Sequence, residues 1–132
     1  MKILRWALLL MVYSQAYAAN WVLIAENESG KSYIEPATIA KFGKHTKVWA
    51  LHDFKVAQTS GDSTRKFLSK KGMLFFSCPD KTVGTKLELI YEGNMGSGQV
   101  LSNDQINLPL MLGILPGTVD EAIYEKVCRI RK

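Results

Sequence analysis

Histidine and cysteine are scarce in this 132-residue sequence: two of each, His45, His52, Cys78 and Cys128. Their scarcity excludes much chemistry. A zinc site takes three or four ligands at close spacing, and neither cysteine has a histidine near it in sequence. A hydrolytic triad needs a histidine base oriented by an acid. Ser63 near Asp62 and Ser77 beside Cys78 have no such base alongside, and there is no acidic cluster. The glycine-rich "GNMGSG" at residues 93–98 lacks the P-loop lysine and does not precede a helix pattern, so it is a poor phosphate cradle. A protein that is not an enzyme and holds no metal is the expectation. Long apolar runs are missing as well: after residue 18 none approaches the roughly 20 residues that cross a bilayer. There is no internal repeat and no low-complexity stretch.

The first residues carry an address. "MKILRWALLLMVYSQAYA" begins with Lys2 and Arg5, continues through an apolar stretch over residues 6–13, and closes on Ala16, Tyr17 and Ala18, an A-x-A cleavage pattern. Residues 1–18 are read as a secretory signal peptide, since Ser14 and Gln15 interrupt the run too soon for a membrane anchor. No cysteine follows the cleavage point to accept a lipid anchor. The product is expected to be exported, to the periplasm or the cell surface. Removing the leader leaves residues 19–132, enough for one domain. Lys2 and Arg5 leave with it, so 15 cationic side chains face 12 acidic ones, a net charge of +3. That is short of the footprint of a dedicated nucleic-acid binder.

Export decides how the cysteines are read. In an oxidising compartment a distant pair is expected to be joined, so Cys78 and Cys128 are assigned to a disulfide. A catalytic thiol, which requires a histidine partner and an electropositive pocket, is the alternative that the sequence leaves open.

Period-two patterning dominates the rest. "NWVLIAE" and "KSYIEP" flank the polar turn "NESG" and read as a hairpin. "TKVWALHDFKVA" alternates Val48, Ala50, His52, Phe54 and Val56 against Trp49, Leu51, Asp53 and Lys55, a long strand. "GDSTRKFLSKKG" reads as a polar connection, and "MLFFSCP" as a short strand stopped by Pro79. "KLELIYEG" sets Leu87, Leu89 and Tyr91 against Glu88 and Glu92. A further short strand is expected near residues 99–101. One segment departs from this period. In "LPGTVDEAIYEKVC", Thr118 and Glu121 form a capping box behind the helix stop at Pro116 and Gly117. Ile123, Tyr124, Val127 and Cys128 then fall on one helical stripe. The fold class expected is α+β: a single antiparallel β-sheet of about six strands, with a C-terminal α-helix packed on it and tethered by the Cys78 to Cys128 disulfide.

The same segments, in this order, resemble the surface-adhesin protein E-like family of proteobacterial exported domains. The likeness is carried by Trp21 and Val22, by "SYIEPATIAKFG", by "VWAL" with Asp53 and Phe54, by "SCPD", by "YEGNMGSGQV" and by "ILPGTVDEAIYEKVC". It implies an antiparallel sheet with a disulfide-tethered C-terminal helix, and an adhesin that binds extracellular-matrix protein and also haem. Two departures stand out. Met111 and Thr118 occupy positions where the family usually has tryptophan and serine, and the lipid-attachment cysteine of the namesake is missing. Threonine caps as serine does.

The candidate ligand-binding residues are cationic and aromatic. Lys41, Lys44, His45 and Lys47 crowd one stretch, and Arg65, Lys66, Lys70 and Lys71 another. With Arg129, Arg131 and Lys132 they are candidates for a patch that takes an acidic glycan, lipid head groups or an acidic protein segment, or they simply keep loops and edges solvated. Trp49 points away from the face of Val48 and Ala50, which makes it a recognition candidate or a homodimer contact. His52 reads as a half-buried sheet histidine with a local partner. Haem enters by the resemblance alone, with His45 and His52 as the only possible axial ligands. The expectation is a non-catalytic binding module, with a structural or accessory periplasmic protein as the alternative.

Overall fold

The computed structural model describes residues 19–61 and 64–129. The expected leader, Asp62, Ser63 and residues 130–132 lie outside the described residues.

Seven strands form one antiparallel sheet: β1 Val22–Asn27, β2 Gly30–Phe42, β3 His45–Thr59, β4 Lys66–Ser77, β5 Thr82–Tyr91, β6 Val100–Gln105 and β7 Leu112–Gly113. The first six follow their order in the chain, and β7 pairs with the start of β5 beyond the end of β6. The β1–β2 hairpin is closed by Asn27, whose Oδ1 accepts the N–H groups of Ser29 at 2.9 Å and Gly30 at 3.2 Å, an Asx turn. Gly30 has no substitute here, because a Cβ would overlap the Asp53 carbonyl oxygen of β3.

Helix α1, Val119–Arg129, follows β7. Thr118 caps it: its Oγ1 accepts the Glu121 N–H at 3.2 Å, while the Glu121 carboxylate accepts the Gly117 N–H at 3.3 Å. The expected box therefore forms, shifted by one residue on its reciprocal side. Ile123 and Val127 are fully buried against Ile34, Val48, Ala50, Leu74 and Phe76. Each such side chain contributes on the order of 2 kcal/mol by leaving water. The Tyr124 hydroxyl donates to the Cys78 carbonyl at 2.7 Å, and the Cys78 to Cys128 disulfide joins the end of β4 to the last turn of the helix.

Three expectations change. The supposed polar connection belongs largely to β4, which begins at Lys66. Phe67 and Ser69 are buried there, and Phe67 meets Phe54 edge to face at 5.8 Å. β2 does not stop at Pro36. It runs on to Phe42 past a break in the ladder between Glu35 and Ala40, where a proline breaks no ladder bond. Val56, placed by alternation with Val48 and Ala50, is 72% exposed. The register slips between Asp53 and Gln58, and such a slip exchanges the two faces of a strand.

The tether predicts a graded response to reductant. Closing a loop over a sequence separation of 50 stabilises a fold by roughly 4 kcal/mol on the chain-entropy model. Reduction is expected to expose the amides of α1 to hydrogen exchange well before those of β2 to β4. Equal protection of helix and sheet after reduction would show that apolar packing alone holds the helix.

Candidate functional site

Opposite partners in an antiparallel ladder share a face, so the register sorts every strand residue to one side or the other. Thr46, Val48, Ala50 and His52 face α1 or its flank. Lys47, Trp49, Leu51 and Asp53 face away, in rows with Glu35, Met73 and Leu87, with Tyr33, Lys71 and Leu89, and with Lys31, Ser69 and Tyr91. This second face is not flat. Leu51 is 0% exposed on it, which requires side chains from both flanks to close over the centre. Lys71 reaches to 5.7 Å from the Trp21 ring and 5.0 Å from the Tyr91 ring, so an ammonium lies between an aromatic at the first strand and one at the fifth. Such contacts stabilise by roughly 0.5–1 kcal/mol when solvated and more when dry.

The glycine-rich segment is hydrogen-bonded to the upper end of this face. Asp53 Oδ1 accepts the Asn94 side-chain amide at 3.0 Å and the Met95 N–H at 2.8 Å. Ser69, fully buried, donates to the Gly93 carbonyl at 2.6 Å and accepts the Gly96 N–H at 2.8 Å. Two strand side chains thus fix a short 3₁₀ turn, Asn94–Gly96. The lower end is aromatic. Phe42, 56% exposed, packs at a tilt against Phe75 with ring centroids 5.3 Å apart, and Lys47 sits 5.7 Å from the centre of the Phe42 ring. Thr38 Oγ1 accepts the Trp49 N–H at 2.9 Å where the β2 ladder is interrupted. A cleft of about 280 Å³ opens there, bounded by Thr38, Ala40, Lys47, Trp49 and Met73.

The predicted binding residues are divided by this geometry. Trp49, Lys47 and Lys71 share the face opposite the helix. Lys44 stands in the turn that links β2 to β3. Lys41, opposite Thr46, and Lys70, opposite His52, belong to the helix side. Arg131 and Lys132 lie outside the described residues. Sequence reading missed Trp21, Phe42 and Tyr91, which join the lysines only through register. The sulfur of Met111 lies in the space a side chain at Gly84 would take, on the side of the sheet where Gly84 opposes Phe75. Among the described residues no group of three His, Cys, Asp or Glu side chains is placed to hold a metal ion, and no helix is long and apolar enough to cross a membrane.

The sequence matches the family model described as surface-adhesin protein E over residues 21–129. The chain belongs to that family. Its fold is that of Haemophilus influenzae protein E: one structure superposes with a TM-score of 0.60 at 12% identity, covering 86% of each chain. A second crystal form gives 0.63 at 13% identity over 86% of this chain and 90% of that one. The protein from a non-typeable strain gives 0.61 at 13% identity, over 87% and 79%. No curated protein matches at the sequence level. This adhesin-family chain therefore keeps the architecture while nearly all side chains differ.

On the helix side, His52 Nδ1 lies 2.9 Å from Ser32 Oγ. Burial, reinforced by the charge of Lys70, lowers its pKa to about 4. Asp120, which also feels Lys70, is shifted the other way, up, by burial and against the pull of that charge. A histidine whose folded pKa lies below its unfolded value of 6.5 favours the native state above pH 6.5. As pH falls from 6.5 to about 4, the unfolded chain binds the proton first and stability drops, by up to about 3 kcal/mol from this group. Asp120, easier to protonate in the fold, offsets part of that loss. Denaturant melts between pH 7 and 4 should show the decline, and His52→Asn should flatten it. An unchanged slope in that variant would remove His52 as the cause.

Proposed function

We propose that this adhesin-family chain is an exported, non-catalytic binding module, and that it takes an acidic protein segment or acidic glycan on the sheet face opposite α1. The observation that carries this reading is the interleaving of ammonium groups with aromatic rings on that one face: Lys47 over Phe42, Lys71 between Trp21 and Tyr91, and Trp49 beside the cleft. Aromatics supply rigid contact area at small entropic cost, and cations resting on them are held in place before a ligand arrives. The sheet beneath is covered on its other side by a cross-linked helix, so little of it has to be ordered on binding. A carboxylate- or sulfate-bearing chain laid along the face meets Lys71, Lys47 and Lys44 in turn. Support from the family is general: its description is that of a surface adhesin, and the ligand is inferred from this chain's own residues.

The test is retention on heparin and on immobilised polyglutamate during a salt titration. Binding should weaken steeply with ionic strength. The K44A/K47A variant should lose roughly tenfold or more in affinity, about 1.4 kcal/mol, and Trp49→Ala a comparable amount with its circular dichroism unchanged. The K41A/K70A variant, altered on the opposite side, should stay within about twofold. Absence of retention at low salt, or equal losses from both double variants, would dismiss this face as the site.

A further inference from the structure

The lysine face is closed at its upper end. Beyond Lys47, Trp49 and Leu51 the strand reaches Asp53, whose carboxylate holds the Asn94–Gly96 turn against the sheet. The Asn94 side-chain amide also donates to the Phe54 carbonyl at 3.1 Å. Met95 is held there with a φ of 55°, a left-handed backbone that residues other than glycine seldom adopt, and its side chain is 40% exposed. Between this turn and the first three strands lies a cleft of about 580 Å³, bordered by Glu26, Lys31, Tyr33, Asp53, Lys55 and Met95. That is the size of a small-ligand site. Its unused polar groups include two donors. Lys31 stands opposite both Glu26 of β1 and Asp53 of β3, yet among the described residues neither its ammonium nor the Tyr33 hydroxyl has a hydrogen-bond or ion-pair partner. The two acids are engaged elsewhere. Asp53 gives Oδ1 to the turn, and Glu26 lies 4.0 Å from Lys55 in a half-exposed pair.

We propose that this cleft captures the free carboxyl terminus of a polypeptide ligand. The inference rests on the binding role given to this face above, and narrows its ligand from any acidic chain to one that ends here. An extended segment laid upward over Lys47 and Trp49 runs against the Asn94–Gly96 turn, which blocks its way along the sheet. A chain end meets that barrier without bending away. A terminal carboxylate is the group to which the Lys31 ammonium and the Tyr33 hydroxyl can both donate, and the bond from the ammonium is charge-assisted. The last side chain then lies beside Met95, an unbranched and adaptable surface that suits an apolar residue. An acidic glycan carries its charges along the chain and offers no such terminus.

The probes are two N-acetylated, glutamate-rich peptides ending in leucine, one a free acid and the other a C-terminal amide carrying one more glutamate so that the charges match. Each is titrated by calorimetry into the oxidised protein at low salt. The free acid should bind at least about tenfold more tightly. Lys31→Gln should bring the two peptides within about twofold of each other, and Tyr33→Phe should narrow the gap in the same direction. Lys31 is exposed and phenylalanine keeps the ring of Tyr33, so both variants retain the ladder. The K44A/K47A variant should weaken both peptides alike and leave their ratio unchanged. Equal binding of acid and amide, with both still weakened by K44A/K47A, overturns the carboxyl-terminus inference and leaves the face as a binding surface. Binding of neither peptide ends both readings. A preference for the acid that survives Lys31→Gln and Tyr33→Phe places the terminus outside this cleft and overturns the assignment as well.

Discussion

Everything in this molecule depends on how Ile123 and Val127 are seated on the sheet. An eleven-residue helix is marginal by itself in water, so α1 exists because two of its side chains are fully buried among Ile34, Val48, Ala50, Leu74 and Phe76. Three further devices fix the same contact: the Thr118 cap at its start, the Tyr124 hydrogen bond to the Cys78 carbonyl, and the disulfide at its end. Both of the latter reach the residue that follows β4, the strand contributing Leu74 and Phe76. The covalent link and the core are thus one feature seen from two sides. A small domain buries a limited fraction of its surface, and the cross-link offsets that limit by holding α1 to the end of β4.

Covering one face releases the other. Because α1 lies across β1 to β3, the opposite face is free to collect side chains that a two-sided core would exclude: Lys47, Trp49, Met73 and Lys71 in the centre, Trp21, Phe42 and Tyr91 at the margins. Leu51 is still buried there, beneath that layer, so the face is shaped by packing as well as open to solvent. Asp53 and Ser69 spend their hydrogen bonds on the turn at residues 94–96. Strand residues positioning a loop in this way is how a rigid sheet acquires a defined rim.

The backbone plan was legible in the sequence because its signals are local. The "NESG" turn, the Thr118 and Glu121 cap and the stripe of Ile123 and Val127 each involve residues within a few positions of one another. The disulfide was legible because the leader implied an oxidising compartment and only two thiols were available. What escaped depended on register. Lys70 and Lys71 are adjacent in sequence and look like one cluster, yet a strand's period of two sends Lys70 toward His52 and Lys71 toward Trp21 and Tyr91. Reading "FLSKKG" as a connection had the same origin, since lysines mark loops until their cross-strand partners are known. The slip between Asp53 and Gln58 then moved Val56 from the expected core to solvent. No periodicity within one strand reports such a slip, because the neighbouring strand fixes it.

That division bears on how such a scaffold takes on ligands. Most of the buried residues sit on the helix side and within the cross-link, with Leu51 and Phe75 buried on the other face, and a substitution at any of them is felt through cavity and packing terms of several kcal/mol. The lysines and aromatics of the other face contribute contacts worth a fraction of that each, so they can change without loss of the fold. Structures that share this architecture at 12–13% identity show that the backbone plan persists while most side chains change. On the proposed binding role, the chemistry of the ligand is set by this chain's own Lys47, Trp49 and Lys71, because a fold shared at 12–13% identity fixes the backbone and not the side chains.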